Sequence, residues 1–194
     1  MKNNLITQAI YLPIYYFGTV IIGSLFAKNY SQVGQQVSEL AINENKIAGI
    51  ILTIGIFITG VSLVLFGIGL LIKFKKQFLI SSFLITLFGI SFLCGAIVSI
   101  GSPWHSLYGL PMSILLLPFA SLYEMEKKKA SKLTMNVAII VTTIIFLYFW
   151  DLLAVKFVSF DYRGLTQRIF GMALFTWFSY SAYKLSKQEI GNNN

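Results

Sequence analysis

The sequence predicts an all-α polytopic membrane protein: a bundle of six transmembrane helices with a short interfacial helix on the outer side. Three observations carry that expectation. Of 194 residues, 56% are hydrophobic and only 11% charged, with a mean hydropathy of +0.75, whereas soluble domains carry about 25% charged residues. The apolar residues gather into runs of spanning length, and the basic residues behind the net charge of +8 cluster between those runs. This pattern excludes a nucleic-acid partner, because no basic stripe with interleaved stacking aromatics exists. Cys94 and His105 are the sole cysteine and histidine. They permit no internal disulfide and no all-His/Cys zinc site, and nothing supplies a second haem ligand, so no cofactor or metal is expected.

A membrane helix needs about 20 predominantly apolar residues, because each residue rises about 1.5 Å across a core of about 30 Å. Six segments of a single integral domain qualify: Ile6 to Ala27, Ala48 to Ile72, Gln77 to Ile100, Pro103 to Tyr123, Leu133 to Val155 and Gly164 to Leu185. The first follows MKNN and superficially resembles a signal peptide. It is longer than a signal peptide's apolar region of about 7 to 15 residues, and Leu25 and Ala27 do not form a small-x-small cleavage site, so a retained span is expected. Ser102 and Pro103 make a suitable cap and first turn for the fourth segment, which Pro111 and Pro118 interrupt.

Lys2, Lys73, Lys75, Lys76, Lys127, Lys128, Lys129, Lys132, Lys184 and Lys187 fall on one side of this arrangement. Lys28, Lys46, Lys156, Arg163 and Arg168 fall on the other. Positive charge is retained in the cytoplasm, so a cell-membrane protein with both termini cytoplasmic is expected. Tyr11, Tyr108, Tyr123, Trp104 and Trp150 near span ends suit an aromatic belt. Membrane lipids are the evident partners.

The substantial outer loop covers residues 28 to 47. Val33, Val37, Leu40 and Ala41 follow a helical period after Ser31, so QVGQQVSELA reads as a short amphipathic helix presenting Gln36, Ser38 and Glu39 on its polar face. Small residues spaced by four, Thr19, Gly23 and Ala27 and then Ser91, Gly95 and Ser99, predict close helix contacts.

Polar residues inside apolar runs mark a candidate site. Asn136, Thr143 and Asp151 share one face of the fifth segment, and Arg168, Thr176, Ser179 and Tyr183 share one face of the sixth. Lipid cannot satisfy such stripes, so both are expected to face the bundle interior. Asp151 and Arg168 would lie at similar depth, about 6 Å inside the ends of adjacent antiparallel helices, which predicts that they pair or share a partner between them. His105 begins the fourth segment, and histidine as a residue type is the usual proton carrier.

YSQVGQQVSEL at 30–40, PWHSLYGLP at 103–111 and YRGLTQRIFGMALFTWF at 162–178 together resemble the domain-of-unknown-function 998 family of bacterial and archaeal multi-pass membrane proteins. The resemblance spans nearly the whole chain. It implies matching positions at Ser38, Glu39 and Leu40, at His105, and at Gly164, Leu165 and Arg168. Ala41, Ser106 and Gln167 depart from the family pattern, which has two glycines and an acidic residue there. A more distant likeness is to the damage-regulated autophagy modulator family of six-helix proteins. Neither implies a reaction.

Ser38, Glu39, His105, Asp151 and Arg168 are therefore the candidate ligand-binding residues of an outward-facing polar cluster, and a small amphiphilic or lipid-like molecule is the ligand to expect, bound or translocated. Pro13 and Pro111, at similar places in two three-helix halves, suit an inverted-repeat transporter. Alternatives are an accessory, protective or structural protein with a membrane-protein partner, and an intramembrane hydrolase using Ser38, His105 and Asp151. The second alternative lacks a nucleophile elbow around Ser38, and no catalytic residue is assigned.

Overall fold

The computed structural model describes residues 2–98, 101–126, 131–151 and 158–187. Regular structure among these residues is helical throughout. Helix α1 (Lys2–Thr7) and helix α2 (Leu12–Phe26) are joined by a 3-10 turn at Gln8–Tyr11, where Pro13 enters the first turn of α2. Proline lacks an N–H and blocks the carbonyl one turn back, so an uninterrupted α-helix cannot run through it. Helix α3 (Lys46–Phe74) and helix α4 (Leu79–Ile97) follow, then α5 (Leu117–Glu126), α6 (Lys132–Trp150) and α7 (Arg163–Ser186).

Three stretches, Asn3–Phe26, Lys46–Ile97 and Lys132–Trp150, are long and apolar enough to cross a membrane. A fourth is added if Leu107–Leu116 and Phe119–Met125, bent by 41°, act as one. These apolar helices are consistent with a membrane protein, but by this criterion they do not make up the six spans expected. Part of the difference is that Lys46–Ile97 contains both α3 and α4, which reverse at Lys75 (φ 52°). The other part is α7, which is long enough but carries Trp, Tyr and Ser residues among its apolar ones. Trp177, Phe178, Ser181 and Ala182 are buried in the bundle, and a helix face packed against protein need not be uniformly apolar.

The fourth predicted segment is the clearest correction. Residues Pro103–Leu116 form 3-10 turns, and Leu107, Tyr108 and Gly109 adopt left-handed backbone (φ 47°, 52° and 79°). Only Leu117–Glu126 is α-helical. The outer amphipathic helix is also shorter than expected: Ser31 caps a turn by accepting from Gly34 N (3.1 Å), and a 3-10 helix covers Val37–Ile42 alone. Residues 99–100, 127–130 and 152–157 lie outside the described set, and with them Ser99, Lys127 to Lys129 and the last part of the fifth predicted segment.

Close packing comes from glycine. A Cβ on Gly89 would lie 2.8 Å from Val64 N and 2.9 Å from Gly60 O, so α3 and α4 approach through their backbones. Gly23 faces Ala48 and Ile51, and Gly55 faces Thr19, in keeping with the small-residue stripe expected on the first segment. Antiparallel contacts seat α7 against both α2 and α6: Tyr16 stacks on Phe175 (4.4 Å) and Tyr148 on Phe170 (4.4 Å). Ile14, Ile21, Leu25, Ile50, Ile54 and Phe83 are exposed, as an apolar surrounding requires, and so are the five belt aromatics.

The bundle has two ends. At the lysine end, Lys73 is buried and its Nζ donates to Asn3 Oδ1 (3.0 Å), Leu185 O (2.7 Å) and Ser186 O (3.2 Å), so it caps the C-terminus of α7. Glu124, also buried, accepts from Ile80 N (2.8 Å) and Ser81 N (3.2 Å) and caps the start of α4. The loop end carries residues 27–45 and the start of α7.

Candidate functional site

The loop after α2 is shaped by its own polar side chains. Gln35 Oε1 accepts from Ser31 N (2.7 Å), and Glu39 Oε1 accepts from Gln36 N (2.8 Å), which fixes the entry to the 3-10 helix at Val37. Asn43 Nδ2 donates to Lys28 O (2.9 Å) and its Oδ1 accepts from Lys28 N (3.0 Å), closing the loop across its base.

The loop then lies directly on the first turn of α7. Leu165 N donates to Val33 O (2.9 Å), and a Cβ on Gly164 would fall within 2.8 Å of Gln35 N and 2.7 Å of Val33 O. Only glycine allows that approach. Two arginines complete the clamp. Arg163 Nη2 pairs with Glu39 Oε1 (3.0 Å), its Nε donates to Gly34 O (3.0 Å), and its guanidinium covers the Phe160 ring (3.8 Å). Arg168 donates from Nε to Gln32 Oε1 (2.7 Å), from Nη1 to Gln35 O (3.0 Å) and Gly164 O (2.7 Å), and from Nη2 to Tyr30 Oη (2.6 Å). Burial pushes the Tyr30 hydroxyl above its ordinary pKa, an effect that the neighbouring Arg168 charge partly offsets.

Behind the clamp is a cavity of about 320 Å³ between α2, α3, α4, α7 and the loop. Tyr16, Leu52, Ile56, Phe88 and Phe92 give it apolar walls, while Ser38, Ser91, His105 and Gln167 supply polar groups. Thr53 and Ala41 are exposed at its rim, so it opens to the surface. His105 Nδ1 lies 2.7 Å from Val98 O, and Gln167 Oε1 accepts from Val37 N (2.8 Å). At the lysine end the corresponding space, among Phe66, Phe178 and Leu185, is only about 10 Å³.

The five predicted residues thus separate into three places. Ser38 and His105 line the cavity, Glu39 and Arg168 belong to the clamp, and Asp151 lines a second hollow of about 210 Å³ with Tyr148, Val158 and Phe170. The expected Asp151–Arg168 pair is corrected: Asp151 Oδ1 accepts from Val158 N (2.8 Å), and among the described residues the ion pair is Arg163–Glu39. The stripe expected inside α6 is corrected too. Asn136 and Thr143 are exposed, and Thr143 satisfies its hydroxyl on Ile139 O (3.0 Å), which lets a threonine sit on the outer face of the helix. On α7, Arg168 and Ser179 turn inward, Ser179 donating to Ile10 O (2.7 Å), whereas Thr176 and Tyr183 are exposed.

Arg163, Tyr30 and Gln167 were not among the predicted site residues. The glutamine-rich SQVGQQ run was the available signal, since such a loop beside apolar helices needs donors and acceptors from elsewhere in the chain.

A family model described as "Protein of unknown function (DUF998)" matches residues 10–183. No match was found among curated proteins or solved structures. The more distant likeness to the autophagy modulators finds no support in these comparisons.

Proposed function

Given that the chain belongs to the DUF998 family of proteins of unknown function, we propose that it binds a small amphiphilic or lipid-like ligand in the loop-end cavity, and that translocation of that ligand is its activity if the cavity opens alternately to both sides. The observation that carries this reading is the cavity of about 320 Å³, apolar on most of its wall with a few convergent polar side chains. That is the build of a ligand pocket, at the small end of a range of about 300–1,000 Å³. In this reading α1–α2, α3, α4, the bent segment with α5, α6 and α7 are six spans of a cell-membrane protein, the loop end faces outward and both termini are cytoplasmic.

The test is displacement of an environment-sensitive single-chain fluorophore from the purified protein. A Cβ on Gly95 meets only His105 O at 3.6 Å and His105 Cε1 at 3.9 Å, so Gly95→Leu can enter the cavity without moving backbone. Binding by the native protein and at least about tenfold weaker binding by Gly95→Leu are expected. Equal binding by both would remove the cavity from the explanation.

A second reading, an accessory or structural membrane protein, is favoured by the clamp, whose arginines spend their hydrogen bonds on the chain's own loop. It predicts no saturable binding at all. The hydrolase alternative loses its third member: His105 Nδ1 contacts a backbone carbonyl, and Asp151 lines a different hollow.

A further inference from the structure

We infer that the ligand of this cavity is an uncharged amphiphile whose head group both donates and accepts hydrogen bonds, such as a hydroxyl or amide head on a hydrocarbon chain. The inference rests on the cavity reading above and narrows it to a chemical class.

The charged side chains of the clamp, and Asp151, are committed elsewhere. Glu39 and Arg163 pair with each other, Arg168 donates to Gln32, Gln35, Gly164 and Tyr30, and Asp151 faces the second hollow. Among the described residues, no Asp, Glu, Lys or Arg lines the cavity. A carboxylate, phosphate or ammonium entering it would leave water without gaining a counter-ion, which costs far more than burying a hydrogen-bonded neutral group.

The neutral polar groups have assignable roles. A carbonyl only accepts, so His105 Nδ1, 2.7 Å from Val98 O, carries the proton and donates. In the neutral tautomer that this contact selects, the lone pair lies on Nε2, and His105 can accept from a ligand there. Gln167 uses its oxygen on Val37 N (2.8 Å), which leaves its amide N–H groups as donors. The Ser38 hydroxyl lines the cavity and makes no hydrogen bond among the described residues, so it is free to act as either. Ser91 spends its hydrogen on Phe88 O (2.6 Å), and the hydroxyls of Tyr16 and Thr53 are likewise uncharged. His105, Gln167 and Ser38 then offer an acceptor, a donor and an adaptable hydroxyl above a wall that includes Phe88 and Phe92, which matches a neutral head on an apolar chain.

Three probes of equal chain length separate the classes: monodecanoyl glycerol, decanoate and decylammonium, each competing with the fluorophore on purified full-length protein. The glycerol ester is expected to compete at a concentration at least about tenfold below either ion. Ser38→Ala, which removes no intraprotein hydrogen bond, should weaken it about three- to tenfold at unchanged thermal midpoint, and His105→Phe should do the same to affinity. Tighter or equal competition by decanoate or decylammonium, or insensitivity to both substitutions, overturns the head-group assignment. If Gly95→Leu still abolishes binding of the winning ion, the cavity stands and only the head group is wrong. If no probe binds, both fail.

Discussion

The two ends of the bundle use buried and half-buried charge differently. At the lysine end, Lys73 and Glu124 each terminate a helix, donating to the last carbonyls of α7 and accepting from the first N–H groups of α4. Helix ends must satisfy such groups, and a single well-placed charge does so while letting the helices pack to a remnant void of about 10 Å³. At the loop end, Arg163 and Arg168 instead reach across the chain to residues 30–39 and hold an irregular segment over the helices. Irregular backbone does not interdigitate as helices do, and a cavity of about 320 Å³ remains beneath it. Charge is therefore spent on architecture at both ends, and among the described residues the hollow beneath the loop is lined by neutral groups.

Four substitutions test this contrast, in order of expected effect. Gly164→Val should displace the loop, costing about 3 kcal/mol through steric conflict with Val33 O and Gln35 N. Limited proteolysis should then cut within residues 30–42 and fluorophore binding should fall. An uncut loop would mean that the clamp does not depend on that approach. Lys73→Met removes three donors from one buried site, and a loss of about 2–3 kcal/mol in thermal unfolding is expected with probe affinity retained. A matching loss of affinity would show that the ends are coupled. Glu124→Gln keeps one acceptor for the start of α4 and removes the charge, for about 1–2 kcal/mol, again without effect on binding.

Tyr30→Phe has the smallest effect, about 1 kcal/mol, because Arg168 keeps its other acceptors. It also has a pH signature. The folded-state pKa of Tyr30 is raised above the ordinary value near 10, so its contribution is fully present below about pH 10 and is lost as pH rises through the folded pKa. Thermal midpoints of native and Tyr30→Phe proteins should therefore differ at pH 8 and converge above pH 10. A constant difference would place the phenol outside the clamp.

Much of this was legible in the sequence. Hydropathy located the long apolar helices, the small-residue spacing found Thr19 and Gly23 against α3, and the loop-end motifs singled out Ser38, Glu39, His105, Gly164 and Arg168. The pairing of charges was not legible. Asp151 and Arg168 looked like partners because both lie near helix ends joined by a short connection. Arg163, five residues before Arg168, lies nearer Glu39 once the loop folds over, and Arg168 is claimed by carbonyls and a phenol that no residue pattern advertises. Nor did Lys73 look different from Lys75 and Lys76, since burial of one lysine in a cluster depends on which neighbouring helix ends within its reach.

By itself, then, the sequence determined that the chain is helical, apolar and suited to a membrane, because those properties follow from composition and local periodicity. Tertiary structure alone decided which charges pair and that a neutral hollow opens beneath the loop. Those outcomes depend on contacts between residues more than 100 positions apart, such as Arg168 with Tyr30 (separation 138) and Val37 with Gln167 (separation 130), and no local pattern encodes which distant acceptor a donor will meet.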